Sequence, residues 1–413
     1  MLSFSMKEHF IPHKYCMFLD LKYREYVMNH DIFFVVGAGI LVIKEGVFMK
    51  KLLVSTMLFM TVASASLAGE IPVLRVGLGI STHLQPFMVA MAKGKDFKDS
   101  GVWLEPAVEK EKYDLMVNGV KTARLNVLFT KGAADSVSLF AQGHLDLALN
   151  SFPAMLAGID RGVKIKVLSP LQADGIAMLS NNDISDVKGW DGFSAYVGAA
   201  KRPVMIGYHS PTSAPKIVVE GAMQASGFRI TGDASATKAD ADILMVDLKS
   251  ISNLIPALVA KQVEFCVAPA PTPEVVESKG QGHIVLQLSE LPPAGRWANF
   301  PCCCITGTEK IVAEFPEAVG DYMKLLSIVA KWCMENKHEA ATVTSEWMGV
   351  PVEVIEKAHI RFFTDVTPDW LANAEMYAEI LNRLGQLTGK LKGKKLANTM
   401  DQVFDFRFVT VSE

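Results

Sequence analysis

Residues Pro203–Gly227 read PVMIGYHSPTSAPKIVVEGAMQASG. Pro203–His209 is an apolar run of strand character, and Ala214–Ser226 has helical spacing and is closed by Gly227. Between them lies Ser210-Pro-Thr212-Ser213-Ala-Pro215. A proline at an early helical position costs nothing, because its missing N–H is one of the groups a helix start leaves unpaired anyway. The stretch therefore predicts a strand that delivers hydroxyls and free amide groups to a helix N-terminus, an arrangement that holds anions. The same Ser and Thr residues also serve as an ordinary N-cap.

Working outward, the strand–helix unit repeats. Val73–Leu78 predicts a first strand that opens into Gly79-Ile-Ser-Thr82-His83, with helical spacing over Leu84–Lys93. Leu145–Leu149 predicts a buried strand running into Asn150-Ser151-Phe152-Pro153 and a helix. Further strands are predicted at Val102–Glu105, Asn126–Phe129, Lys164–Leu168, Ile176–Ser180, Ile243–Val246 and Val263–Ala268, with helices at Ala133–Gln142 and Ile251–Lys261. Strands alternating with helices of this size predict an α/β protein with mainly parallel sheets flanked by helices. After Pro269-Ala-Pro271-Thr-Pro273 come Ile284–Leu286, Cys302–Thr306 and a tail read as amphipathic helices over Pro316–Asn336, Lys337–Met348, Pro351–Arg361 and Pro368–Leu387. Two halves of this kind predict two lobes, with an outward crossing near Ser169–Gly175 and a return near Pro269–Pro273. Lobe one is then residues 69–170 and 272–413, lobe two is residues 171–271, and the ligand cleft lies between them.

The N-terminal part reads differently. Met49-Lys50-Lys51, an apolar run to Val62 and the small residues Ala63–Gly69 have the order of a secretory signal peptide over residues 49–68, which predicts cleavage after Ala68 and a periplasmic product. Residues 1–48 then read as a mis-called leader, because Lys44-Glu45-Gly46 can be encoded by a purine-rich ribosome-binding sequence just before Met49. The apolar run Ile32–Ile43 is short of the ~20 residues needed to span a bilayer.

The 413 residues carry a formal net charge of −3, which argues against nucleic acid as a partner. Beyond Cys16 the cysteines are Cys266, Cys302, Cys303, Cys304 and Cys333, an odd number without the spacing of a disulfide framework. Neighbours in a regular strand point to opposite faces, so the adjacent Cys302, Cys303 and Cys304 are not expected to converge on one ion, and no metal or other cofactor is predicted. No nucleophile–base motif, metalloprotease helix or phosphate-cradling glycine loop occurs, in keeping with a protein that is not an enzyme.

Four segments together resemble the periplasmic substrate-binding proteins of nitrate/sulfonate/taurine-type ABC importers, which are related to the thiamine-pyrimidine synthases. They are Ala141–Ala154 (AQGHLDLALNSFPA), Pro203–Gly227, Leu254–Val276 (LIPALVAKQVEFCVAPAPTPEVV) and Phe300–Val319 (FPCCCITGTEKIVAEFPEAV). The resemblance spans Val73 to about Pro351. It implies the two-lobed type II periplasmic binding protein fold and hinge closure on a small molecule: a sulfonate, a nitrate-like anion or a heteroaromatic. It also implies delivery to a membrane permease with its ATPase, by a monomer. Two departures stand out: Trp103–Leu128 is longer than in the family, and Pro269-Ala-Pro271 lacks the aromatic and acidic residues many members carry there.

The ligand-binding residues expected on these grounds are Thr82, His83, Gln85, Asn150, Ser151, Phe152, Ser210, Thr212, Ser213 and Pro271. Two other readings stay open. A thiamine-pyrimidine synthase-like enzyme implies metal at the cysteine tract, where the fungal synthases carry a similar cluster. The lysine and histidine with which they hold a pyridoxal-type substrate are missing from Ser151–Gly158. The sensor module of a signalling pathway needs a fused or partner output domain.

Overall fold

A computed structural model describes residues 24–28, 31–36, 39–44 and 71–411. The first three segments are strands, Arg24–Met28, Asp31–Val36 and Gly39–Lys44, paired antiparallel. The signal-peptide reading of residues 49–68 falls outside the described residues. Among the described residues, no helix is long and apolar enough to cross a membrane.

From Ile71 onward the chain builds two sheets. It enters the first through β1 (Val73–Leu78), β2 (Val102–Val108), β3 (Lys112–Val117), β4 (Val120–Phe129), β5 (Leu147–Ser151) and β6 (Ile165–Asp174). It then crosses to the second, which takes β7 (Ile176–Ser180), β8 (Val204–Tyr208), β9 (Ile230–Thr231), β10 (Ile243–Asp247), β11 (Phe265–Pro269) and β12 (His283–Gln287). It returns to the first through β13 (Pro301–Thr308) and β14 (Ile360–Phe362). The first sheet has the order β14-β6-β13-β5-β1-β4-β3-β2, the second β9-β10-β8-β11-β7-β12.

The α/β two-lobed architecture is as the sequence predicts, with three refinements. In lobe two, β9, β10, β8 and β11 are mutually parallel, and β7 and β12 complete the sheet antiparallel. In lobe one only β5, β1 and β4 are parallel; β13, β6 and β14 on one side and β3 and β2 on the other pair antiparallel. The long Trp103–Leu128 region is this second extension, a meander whose charged run Glu109–Lys112 makes the tight turn with Lys110 at φ 62°.

The chain passes from the first sheet to the second where Asp174 ends β6 and Ile176 begins β7. Gly175 between them has φ +68°, and a Cβ there would stand 2.6 Å from Ile360. The return does not fall at Pro269–Pro273. The segment His283–Gln287 pairs with β7, so residues 272–287 belong with lobe two and the chain recrosses between Gln287 and Pro301. The cluster of prolines terminates β11 instead, and Thr272–Ser278 forms a helix packed on lobe two. Similarly, Pro351–Arg361 is not one helix: a single turn at Val352–Ile355 gives way to β14 at the edge of the first sheet.

The longer helices between these strands are α1 (Gln85–Ala92), α2 (Ala133–Ala141), α3 (Phe152–Asp160), α4 (Gly189–Ala199) and α5 (Ala214–Ala225). The helix Pro368–Arg383 packs on both α3 and α5. Its approach to lobe two requires Gly221, where a Cβ would meet Ile380 at 2.5 Å and Trp297 at 2.7 Å.

Candidate functional site

All six of the inner parallel strands end toward one cleft. The loops after β1 (Gly79–Leu84), β4 (Thr130–Asp135) and β5 (from Asn150) line it from lobe one. The loops after β8 (His209–Pro215) and β10 (Lys249–Ile251), together with Pro269 at the end of β11, line it from lobe two. Ligands of open α/β sheets bind at the carboxyl ends of the strands, and here two such ends face each other. The cleft has a volume of about 580 Å³, room for a small molecule. The start of β13 adds Cys302 and Cys303 to its lining.

Three helices begin at this cleft: α2 after Gly132, α3 after Ser151 and α5 after Ser213. Gly132 has no side chain to cap α2, and neither Ser151 nor Ser213 bonds to its own helix through its side chain. Two come from lobe one and one from lobe two, so their positive ends meet across the gap. The Ser151 hydroxyl is buried and makes no hydrogen bond among the described residues. Asn150 beside it donates from Nδ2 to Ser136 Oγ. Lys131 and Lys249 stand at the edges, Lys249 pairing with Asp247 at 2.7 Å. Ile80 of lobe one and Ile251 of lobe two are exposed apolar residues in the cleft lining, at 50% and 43% exposure.

His209 is the one lining histidine of lobe two. Burial pushes its imidazole down to about 4, nearby His83 adds to the shift, and Asp247 opposes it. Its Nδ1 is buried and unpartnered among the described residues.

Of the residues expected from sequence, the structure brings His83, Asn150, Ser151, Ser210, Thr212 and Ser213 to the cleft. Ser213 is spent locally, its N–H and hydroxyl both donating to the Ser210 carbonyl at 3.1 and 2.7 Å. Four do not line the cleft. Thr82 donates to the Ala270 carbonyl at 2.8 Å, tying lobe one to the end of β11. Gln85 donates to Thr344 Oγ1 at 2.7 Å. Pro271 is buried as the N-cap of the Thr272–Ser278 helix. Phe152 points into the core of lobe one, fully buried against Trp370, Tyr377 and Phe404.

Sequence reasoning missed the α2 start, Lys249–Ile251, His209, and the pair Cys302 and Cys303. The first three follow from the rule already applied to β5 and β8, that every parallel strand end faces the cleft. The cysteines do not, because the register of β13 against β6 shifts between Pro301 and Cys303 and again between Cys303 and Cys304. This irregularity breaks the strict alternation of faces and puts Cys302 Sγ and Cys303 Sγ 3.9 Å apart.

Comparison with known proteins agrees with this architecture. The NMT1-like family matches residues 68–349. A ligand-binding component of an ABC-type import system from Staphylococcus aureus, solved with zinc bound, superposes with a TM-score of 0.60 at 10% identity over 82% of this chain and 97% of that one. The periplasmic nitrate-binding protein of Synechocystis gives 0.58 at 16% identity over 81% and 86%. The alkanesulfonate-binding protein of Xanthomonas axonopodis gives 0.56 at 12% over 79% and 97%.

Proposed function

The chain belongs to the NMT1-like family, and from that premise we propose that it is an extracytoplasmic solute receptor which closes its two lobes on a small anion and hands it to the permease and ATPase of an ABC importer. The observation that carries this reading is the meeting of three helix starts, uncapped by their own side chains, from both lobes in one cleft. An anion held there satisfies amide groups of both lobes at once, so binding favours the closed form over the open one. The nitrate- and sulfonate-binding proteins of the same fold support an oxyanion or sulfonate rather than a neutral heteroaromatic. The ligand is bound and released unchanged. The protein acts as a monomer outside the cytoplasm, brought there by the signal peptide at residues 49–68 and starting at or near Gly69.

The test is calorimetry and thermal unfolding against nitrate, sulfate and short alkanesulfonates. A ligand at a hundred times its dissociation constant should stabilise the fold by about 2.7 kcal/mol, and small-angle scattering should show compaction. Failure of every oxyanion and sulfonate to stabilise or compact the protein would remove the anion reading. Two substitutions sharpen the site. Ser151→Ala and Thr212→Ala should each weaken binding by roughly 1–3 kcal/mol, the cost of leaving a buried ligand group unpaired. Ser151→Ala should leave the melting temperature nearly unchanged, since its hydroxyl has no hydrogen-bond partner among the described residues. Unchanged affinity in both variants would place the ligand elsewhere.

A further inference from the structure

We propose that the end of lobe one opposite the cleft docks on the surface of an anionic phospholipid bilayer, through the lysine-rich loop 388–395 and the basic residues beside it. The loop reads TGKLKGKK and follows the helix Pro368–Arg383. A segment of this composition is ordinarily a solvated charge run without fixed structure. Here it is pinned. The buried carboxylate of Asp160, at the end of α3, accepts from the N–H groups of Thr388, Gly389 and Leu391, each at 2.8 Å. The Lys390 N–H donates to the Asp160 carbonyl at 3.0 Å, and Asn382 Oδ1 accepts from the Gly393 N–H at 2.6 Å. Leu391 and Leu396 are buried and hold the loop down by their side chains.

The pinned loop presents Lys390, Lys392, Lys394 and Lys395, the last three exposed. Arg161, which follows α3, and Lys164, just before β6, are exposed beside it. Burial and the charges of Lys166 and Lys164 hold the Lys390 ammonium below its ordinary range, against the opposing charges of Glu309 and Asp160, so these three ammonium groups are close neighbours. Lys166 pairs with Glu309 at 3.6 Å, but among the described residues none of the other six cations forms an ion pair. One or two cations at this end answer the negative end of α3. Six unpaired ones do more than that, and they gather on one end of a chain whose formal net charge is −3.

The amides that could cradle a single phosphate are already spent on Asp160 and Asn382, so the loop offers no backbone nest for a small anion. What it offers is separate ammonium groups, point charges without the fixed fork that arginine brings to one carboxylate or phosphate. Charges spread in this way suit a surface of many headgroups, where each lysine near an anionic leaflet favours binding about fivefold. The placement sets the orientation. α3 starts at Ser151 in the cleft and ends at Asp160 under the loop, and β13 runs from Cys303 in the cleft to Thr308, which pairs with Ile165 beside Lys164. A protein docked through the loop therefore turns its cleft away from the bilayer, open to the medium. The inference does not depend on the receptor reading: lipid binding is measured with no solute present, solute binding with no lipid, and either can fail alone.

The experiment uses the exported chain, residues 69–413, with vesicles of phosphatidylcholine alone or mixed with an equal share of phosphatidylglycerol. At low salt the protein should sediment with the anionic vesicles only, and about 0.5 M salt should release it, because screening shortens the reach of the charges. Lys392→Gln with Lys394→Gln and Lys395→Gln should weaken partitioning by about a hundredfold. The melting temperature should not move, since these side chains have no ion-pair partner among the described residues. Removing equal charge from lobe two, by Lys188→Gln with Lys201→Gln and Lys279→Gln, all exposed, should leave partitioning nearly unchanged. A polarity-sensitive fluorophore on Ala397→Cys, beside the loop, should shift to the blue on anionic vesicles, and one on Ile80→Cys, at the cleft, should not. A folded protein that ignores anionic vesicles, binds neutral ones equally, or loses binding equally in the two triple variants would overturn the docking surface. Loop-dependent binding of soluble polyphosphate without vesicle binding would overturn the bilayer as its occupant. A blue shift at Ile80→Cys would overturn the orientation.

Discussion

Phe152→Ala is expected to lower the unfolding free energy by about 3–5 kcal/mol while leaving ligand affinity intact. Phe152 is fully buried, with ring centroids of Trp370 at 5.4 Å, Tyr377 at 6.0 Å and Phe404 at 6.3 Å. Trp370 and Tyr377 belong to the helix Pro368–Arg383, and Phe404 lies beyond it, so the ring anchors the C-terminal tail on α3. Truncation leaves a cavity that three closely packed aromatic neighbours fill poorly, which puts the cost at the upper end of the range. The neighbouring Ser151 should behave oppositely, losing affinity and keeping stability. Urea unfolding together with calorimetry on both variants separates the two roles. A Phe152→Ala protein with normal stability and weakened binding would return that ring to the cleft.

The contrast between these two neighbours shows where the sequence is legible. Strand–helix units such as Leu147–Asp160 and Val204–Ala225 announce themselves through an apolar run, a Ser/Thr/Asn/Pro junction and a second periodicity. That pattern locates the cleft, because the junctions are the strand ends. It does not say which side chain of a junction turns to the ligand and which turns to the core. Phe152 and Gln85 sit at helix starts and are drawn inward by partners more than two hundred residues away in the chain, Trp370 and Thr344. Such partners leave no local signal.

The antiparallel elements were less legible for a related reason. β12 and β14 are short, and their pairing depends on β7 and β6, with which they share no local pattern. A proline cluster after an apolar strand reads as a break where the chain changes lobe, whereas Pro269 is the last residue of β11 and Pro271 is the N-cap of a helix. The convergence of Cys302 and Cys303 is the clearest case. Alternation in a regular strand forbids it, and only the register shifts against β6 permit it.

The crossing itself should be sensitive to pH through Asp174. Its carboxyl ends β6 at the outward crossing and accepts from the Asn299 N–H, on the return crossing, at 3.0 Å. The bond ties the two chain segments about which the lobes would hinge. Burial pushes the Asp174 pKa from 3.8 up to about 6, only partly offset by the Asn299 N–H and by the charges of Arg361 and His359. The folded state therefore binds this proton more tightly than the unfolded chain. The stability it contributes is fully present below pH 3.8 and is lost as pH rises to about 6. A shift of this size corresponds to at most about 3 kcal/mol. Asp174→Asn keeps an oxygen that can accept from Asn299 and carries no charge at any pH. The variant should therefore gain on the wild type between pH 4 and pH 7, by up to about 3 kcal/mol in urea unfolding. If closure strains the same tie, ligand affinity in the wild type should vary over that pH window and become flat in Asp174→Asn. Parallel stability profiles for the two proteins would mean that the carboxylate is well solvated at the crossing and plays no part in setting the hinge.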